Sequence, residues 1–223
     1  PTTASITLAQ SDNDVLVTVS LDNPPAEDQP ATVHFTVNGE EHTVTIPAGE
    51  TSVDVPLNNL IGNNAYGDPT TVTAEVTSVE GGNFEATSNG LSVSQDFTPP
   101  VTQTTVTITG INTQEDSEKV TFEVALSEKP KGGSATAVIN VNGEDYSVAI
   151  GKDGKGTVEV PNPNTEDVYN DPTSLTATFQ SVIGGGYSQV VAGTSTPAQI
   201  TDTIDPTTAS ITLAQSDNDV LVT

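Results

Sequence analysis

Apolar and polar residues alternate along most of the chain, with the period of two that marks half-buried strands. Val15, Val17, Val19 and Leu21 form the cleanest run, and Asn23-Pro24-Pro25 ends it. A shorter strand is predicted before it, at residues 5–8. Val33, Phe35 and Val37 predict a third strand, and Val44 and Ile46 its return. Asn38-Gly39 stands between them, the favoured dipeptide of a two-residue hairpin turn. Such a turn pairs Phe35 with His42 and points His34 to the opposite face. Val53 and Val55 predict the next strand; a polar loop follows at residues 58–69. Val72, Ala74 and Val76 alternate again, Gly81-Gly82 turns the chain, and residues 91–97 close the plan. No helical period of any length appears.

The same plan then repeats. Val106 and Ile108 correspond to Ile6 and Leu8, and Val120, Phe122, Val124 and Leu126 to the long second strand. Asn142-Gly143 reproduces the hairpin turn, with Tyr146 in the slot of His42. Val158 and Val160 follow. The loop at residues 162–172 matches that at 58–69, and Leu175, Ala177 and Phe179 match Val72, Ala74 and Val76. Gly184-Gly185-Gly186 sits where Gly81-Gly82 sat, and Ile200 leads to the next boundary. Many short alternating strands with frequent turns predict an all-β fold of tandem immunoglobulin-like β-sandwich domains, arranged as an elongated array. The expected boundaries are 1–99 and 100–205 for two sandwiches, and 206–223 for the first strands of a third.

That last segment is a copy. Residues 206–223 repeat residues 1–18 letter for letter, at an offset of 205. The chain therefore reads as a window cut from a longer tandem array. A lone hairpin is marginal in water, so the copy is expected to be ordered by something else. Either the rest of a third unit covers it, or it takes the place of residues 1–18 in a neighbouring molecule by strand exchange. The first is favoured; the second leaves self-association open.

Composition adds two constraints. Cysteine is absent, so no disulfide staples either unit. Thirty Asp and Glu face five lysines, arginine is absent, and the formal net charge is −25. Residues 1–99 hold 14 acids and no lysine. Such a chain repels nucleic acid and anionic membrane, and repels itself unless cations bind. No apolar run approaches the roughly 20 residues of a membrane helix.

The acids cluster in loops. Glu166, Asp167 and Asp171 share the loop at 162–172, and Asp202 and Asp205 lie at the following boundary. A third set, Asp217-Asn218-Asp219, is copied from Asp12-Asn13-Asp14. In a sandwich, loops at one pole gather, which would bring these oxygens together. Calcium takes about 6–8 oxygen ligands in flexible geometry and suits such a pole better than magnesium. Zinc and copper are poorly served without cysteine and with two histidines. Isolated Asp and Asn more often serve turns through their own backbone, and that reading is the better one for Asp12 and Asp14 alone. At the first boundary the acids are fewer. Asn63 and Asn64 stand for Glu166 and Asp167, and Asp68 keeps the place of Asp171. Asp96 is set against Asp202, and Pro100 against Asp205. Calcium affinity is expected to fall there, with Pro99-Pro100 restricting the backbone instead.

The NGE turn, the stretch GTVEVPNPNTEDVYNDPTSLTATFQSVIGGGY and the joint TDTIDPTTASIT resemble the extender repeats of giant RTX-type, LapA-like bacterial biofilm adhesins. The resemblance covers both units and the tail. It implies immunoglobulin-like domains, calcium at the joints and a spacer role, in a protein exported by type I secretion to the bacterial cell surface. On this chain the ligands the resemblance implies are Glu166, Asp167, Asp171, Asp202 and Asp205; Asp217, Asp219, Asp12, Asp14, Asp68 and Asp96 are further candidates from their own loops and boundaries. The implied partners are calcium ions and neighbouring repeats. No catalytic motif appears: Gly184-Gly185-Gly186 lacks the Lys-Ser or Lys-Thr of a phosphate loop, and no Gly-x-Ser-x-Gly occurs. An enzyme is not expected. The competing expectations are a self-assembling fibre joined by strand exchange, and a carbohydrate- or protein-binding module; the latter calls for an aromatic or polar patch outside the joints, and the sequence, with no Trp and four Tyr, offers none.

Overall fold

Alternation becomes two facing sheets wherever one side of each strand can be buried. The computed structural model describes every residue except Asn218 and Thr223, and the backbone but not the side chains of Ser216 and Asp219. The chain forms two compact units, Pro1–Gln103 with Tyr187–Gln189, and Thr104–Gly186 with Val190–Thr223.

The first unit contains β1 (Thr2–Ser11), β2 (Asp14–Leu21), β3 (Ala31–Val37), β4 (Glu40–Ile46), β5 (Ser52–Leu57), β6 (Thr70–Gly81), β7 (Thr87–Asn89) and β8 (Val93–Phe97). They make two four-stranded sheets, in the orders β5-β2-β1-β7 and β4-β3-β6-β8. Val15, Val17, Val19 and Leu21 from the first sheet share one core with Val33, Phe35, Val37, Val72, Ala74 and Val76 from the second. Burying each of these Val, Leu or Phe side chains contributes about 1.5–3 kcal/mol, offset mostly by chain entropy. Asn38 (φ 51°) and Gly39 (φ 83°) take the positive φ that a tight hairpin turn requires. The turn pairs Phe35 with His42, and their rings stack at 5.4 Å, so His42 packs as part of the sheet. His34 lies on the other face, its Nδ1 3.0 Å from the Thr43 hydroxyl.

The second unit contains β9 (Thr104–Gly110), β10 (Thr113–Gln114), β11 (Lys119–Leu126), β12 (Ala135–Val141), β13 (Glu144–Ile150), β14 (Lys155–Pro161), β15 (Thr173–Leu175), β16 (Ala177–Gly184), β17 (Val190–Thr196) and β18 (Ala198–Thr201). Its main sheets run β14-β11-β9-β17 and β13-β12-β16. The two units share their irregularities. β3 and β6 shift register between His34 and Phe35, and β12 and β16 shift between Val138 and Ile139.

Three differences from the sequence reading matter. β7 and β17 were not expected. They pair in parallel with β1 and β9, and the exposed pattern of β17 carries no alternation to read. The run through Leu175, Ala177 and Phe179 is not one strand. β15 pairs with β18 and β16 with β12, so the chain changes partner at Thr176. Finally, β10, β18 and β15 make a small third sheet at one end of the second unit, with β10 parallel to β18. Gly110 permits that sheet: a Cβ there would run into the Ala198 nitrogen.

In the tail, β19 (Leu213–Ser216) and β20 (Asp219–Val222) form a hairpin. Leu213 pairs with Val222, as Leu8 pairs with Val17, so the copied sequence keeps its register. Ile211, Leu213, Val220 and Val222 are exposed, whereas Ile6, Leu8, Val15 and Val17 are buried.

Candidate metal centre

The site begins with a change of turn length. β1 and β2 are joined by two residues, Asp12 and Asn13, whereas 111–118 lie between β9 and β11. The longer connection first pairs as β10 with β18, then turns inward. Asn162 holds the turn, its Nδ2 donating to the carbonyl oxygens of Gln114, Glu115 and Ser117 at 3.3, 3.4 and 2.8 Å. The Glu115 amide donates to the Thr201 carbonyl at 3.0 Å. Glu115 is thereby placed just beyond the sheet with only 2% of its surface exposed.

A buried carboxylate is costly unless its oxygens are matched. Glu115 Oε1 accepts from the Thr203 amide at 3.1 Å, and Oε2 accepts from Asn164 Nδ2 at 3.4 Å. Asn164 Nδ2 also donates to the carbonyl oxygen of Asp171 at 3.1 Å. These links bring a carboxylate oxygen from each of Glu115, Asp171 and Asp202 within 4.8 Å of one another. Asp202 Oδ1 is buried with no hydrogen-bond partner. The Thr203 hydroxyl lies 2.7 Å from both oxygens of Glu166 and 3.2 Å from Glu115 Oε1. It has one proton for three acceptors, so the set is short of positive charge.

The titration of Glu166 registers the same shortage. The Thr203 hydrogen bond favours its carboxylate. Desolvation, a hydrogen bond shared with Asp205 and the charges of Asp205 and Glu115 outweigh that, and hold its pKa above the ordinary carboxylate value. Lys119 and Lys155 pair with Glu159 and Glu123 at 2.8 and 3.3 Å, on the β11–β14 face. Carboxylates this close repel, and solvent screens the buried Glu115 less than the exposed Asp171. All the donors are hard oxygens, which suit calcium: Glu115, Asp171 and Asp202 would hold it, with Glu166 and Asp205 beside them.

Of the residues expected from sequence, Asp171 and Asp202 join this set, and Glu166 and Asp205 adjoin it. Asp167 does not; its Oδ1 accepts from the Tyr169 amide at 2.7 Å and shapes the loop. Among the described residues the remaining candidates form no such group. Asp12 (φ 53°) and Asp217 (φ 53°) are turn residues. Asp14 Oδ1 accepts from the Asn59 amide at 2.6 Å. Asp68 offers its carbonyl oxygen to Asn64 Nδ2, and Asp96 accepts from the Thr71 hydroxyl across the β6–β8 pair. The side chain of Asp219 lies outside the described residues. Glu115 was missed. The signal was the lengthened INTQEDSEK connection, with two adjacent acids where the first unit has a tight turn.

The strand register also corrects the first boundary. Thr70 pairs with Phe97 and Thr173 with Ile200, each threonine following an Asp-Pro. Pro99, not Asp96, therefore stands at the place of Asp202, and Thr102, not Pro100, at the place of Asp205. Asp96 instead matches Gln199, inside the strand.

Residues 2–95 and 102–203 each match the LapA domain. The chain belongs to the LapA domain family. The LapA domain assignment agrees with the motifs that pointed to LapA-like adhesin repeats, and with the paired β-sandwiches. No curated protein matches the sequence. Among solved structures, a 1.5-MDa bacterial ice-binding adhesin, studied for its retention at the host cell surface, is 13% identical over 92% of this chain, with a TM-score of 0.28. A Ca2+-stabilized adhesin that helps an Antarctic bacterium reach out and bind ice is 20% identical over 94% of this chain, with a TM-score of 0.24. The chain spans 65% and 50% of those two structures.

Proposed function

We propose that this LapA-domain chain is a calcium-stiffened spacer of a secreted bacterial surface adhesin, projecting an adhesive region away from the cell in biofilm formation. One observation carries the reading: the buried Glu115 shares a space with Asp171 and Asp202, whose Oδ1 has no partner, and the adjoining Glu166 feels the negative charges of Asp205 and Glu115. A divalent cation there turns mutual repulsion into a cross-link between three parts of the chain: the β10 turn, the loop before β15, and the segment leaving β18. That segment is where one repeat passes into the next, so fixing it fixes the direction in which the array continues. The family and the net charge of −25 support a structural role at the cell surface.

Small-angle scattering of the 223-residue chain tests this. A larger maximum dimension in millimolar calcium than in chelator is expected; identical curves contradict the reading. The fibre reading draws on the exposed apolar residues of the β19–β20 hairpin. Light scattering separates the two, since strand exchange makes mass grow with concentration and a spacer stays monomeric.

A further inference from the structure

The segment leaving the first unit has a different anchor. We propose that residues 98–102 are clamped by peptide pairing to Asn64 and need no cation, so that the two exits within one 205-residue period are held by different chemistry. The clamp itself rests on first-unit geometry alone; only the contrast rests on the calcium reading above.

The Asn64 amide donates to the Pro100 carbonyl at 3.2 Å, and the Thr102 amide donates to the Asn64 carbonyl at 2.9 Å. Together they make a parallel bridge between Asn64 and Val101. Gln10 Nε2 adds a bond to the Thr98 carbonyl at 2.6 Å. The Asn64 side chain braces the loop from within: Oδ1 accepts from the Tyr66 and Gly67 amides at 3.0 and 2.6 Å, and Nδ2 donates to the Asp68 carbonyl at 3.1 Å. Asn64 thus uses a backbone donor, a backbone acceptor and both ends of its amide.

Asp68 keeps the place of Asp171, but the other features that crowd charge at the second exit are replaced here. Asp167, at the place of Asn64, is a carboxylate with no proton to give. Pro99, at the place of Asp202, buries an apolar ring. Thr102 stands for Asp205, and the two-residue turn at Asp12-Asn13 has no counterpart of Glu115. At the second exit the corresponding bonds run from Thr203 to the side-chain oxygens of Glu115 and Glu166, so they depend on carboxylates that need a counter-ion. Pro99-Pro100 therefore acts less by stiffness than by presenting a buried ring and a carbonyl that accepts from the Asn64 amide.

Amide hydrogen exchange on the full chain, in calcium and in chelator, tests the clamp. Protection of the Asn64 and Thr102 amides is expected to agree within about twofold between the two conditions. Protection that collapses in chelator overturns the proposal. Asn64→Asp, which installs the residue of the second unit and removes the donor to Asp68, is expected to speed Thr102 exchange about five- to tenfold in both conditions. Unchanged exchange in that variant also overturns it. The Thr203 amide reports on calcium separately: if it ignores calcium while Asn64 and Thr102 stay protected, the calcium reading fails and the clamp stands.

Discussion

Glu115 is the residue on which the candidate centre turns. It is the buried member, and its oxygens order Thr203 and Asn164. Glu115→Gln keeps the shape and removes the charge; calcium affinity by calorimetry is expected to fall at least about tenfold, the loss of roughly 1.4 kcal/mol or more. Asp167→Asn is expected to leave affinity nearly unchanged, because that side chain caps the loop away from the set. The raised pKa of Glu166 gives a sign for pH. Protonating Glu166 relieves the metal-free pole, so its contribution to metal-free stability is present at low pH and lost as pH rises through its raised pKa. Calcium needs the ionised form, so its binding is expected to weaken as pH falls through that same range. Asp171, Asp202, Glu166 and Asp205 were candidates from the sequence because EDVYNDP and DTIDP are dense in oxygen ligands. Glu115 escaped because its role comes from an inserted turn. Asp96 and Pro100 were misplaced because only strand pairing fixes the register across the boundary.

At the scale of elements, alternation located most of the strands that bury side chains, though not the short β18 with its buried Ala198 and Ile200, and the NG turns located both hairpins. It could not locate β7 and β17, which are joined to β1 and β9 by parallel main-chain pairing and carry little buried apolar surface. Nor could it show that β15 and β16 take different partners. The third sheet, β10-β18-β15, is the element that positions the centre, and Gly110 allows β18 to approach. Gly110→Val is expected to lower the unfolding temperature of the second unit and to weaken calcium binding with it, measured by calorimetry. Phe122→Ala removes a fully buried ring from β11 and is expected to cost about 3–5 kcal/mol in urea unfolding.

For the whole molecule, two units of one plan carry unequal charge at their exits. Heating in calcium is expected to shift the unfolding of the second unit upward by roughly 10 °C or more at an ion concentration near 100 times Kd. The first unit, with its peptide clamp, is expected to unfold at the same temperature with or without the ion. An array built on this period would alternate ion-dependent exits with ion-independent ones. It would loosen at every second exit, rather than everywhere, when calcium falls.

The central claim is that carboxylates from separate parts of the second unit close around one ion. A crystal structure of the chain grown in calcium reads it directly. The expected result is a calcium peak bonded to oxygens of Glu115, Asp171 and Asp202 at about 2.3–2.6 Å. Finding those three side chains turned apart into solvent, with no cation among them, would contradict it.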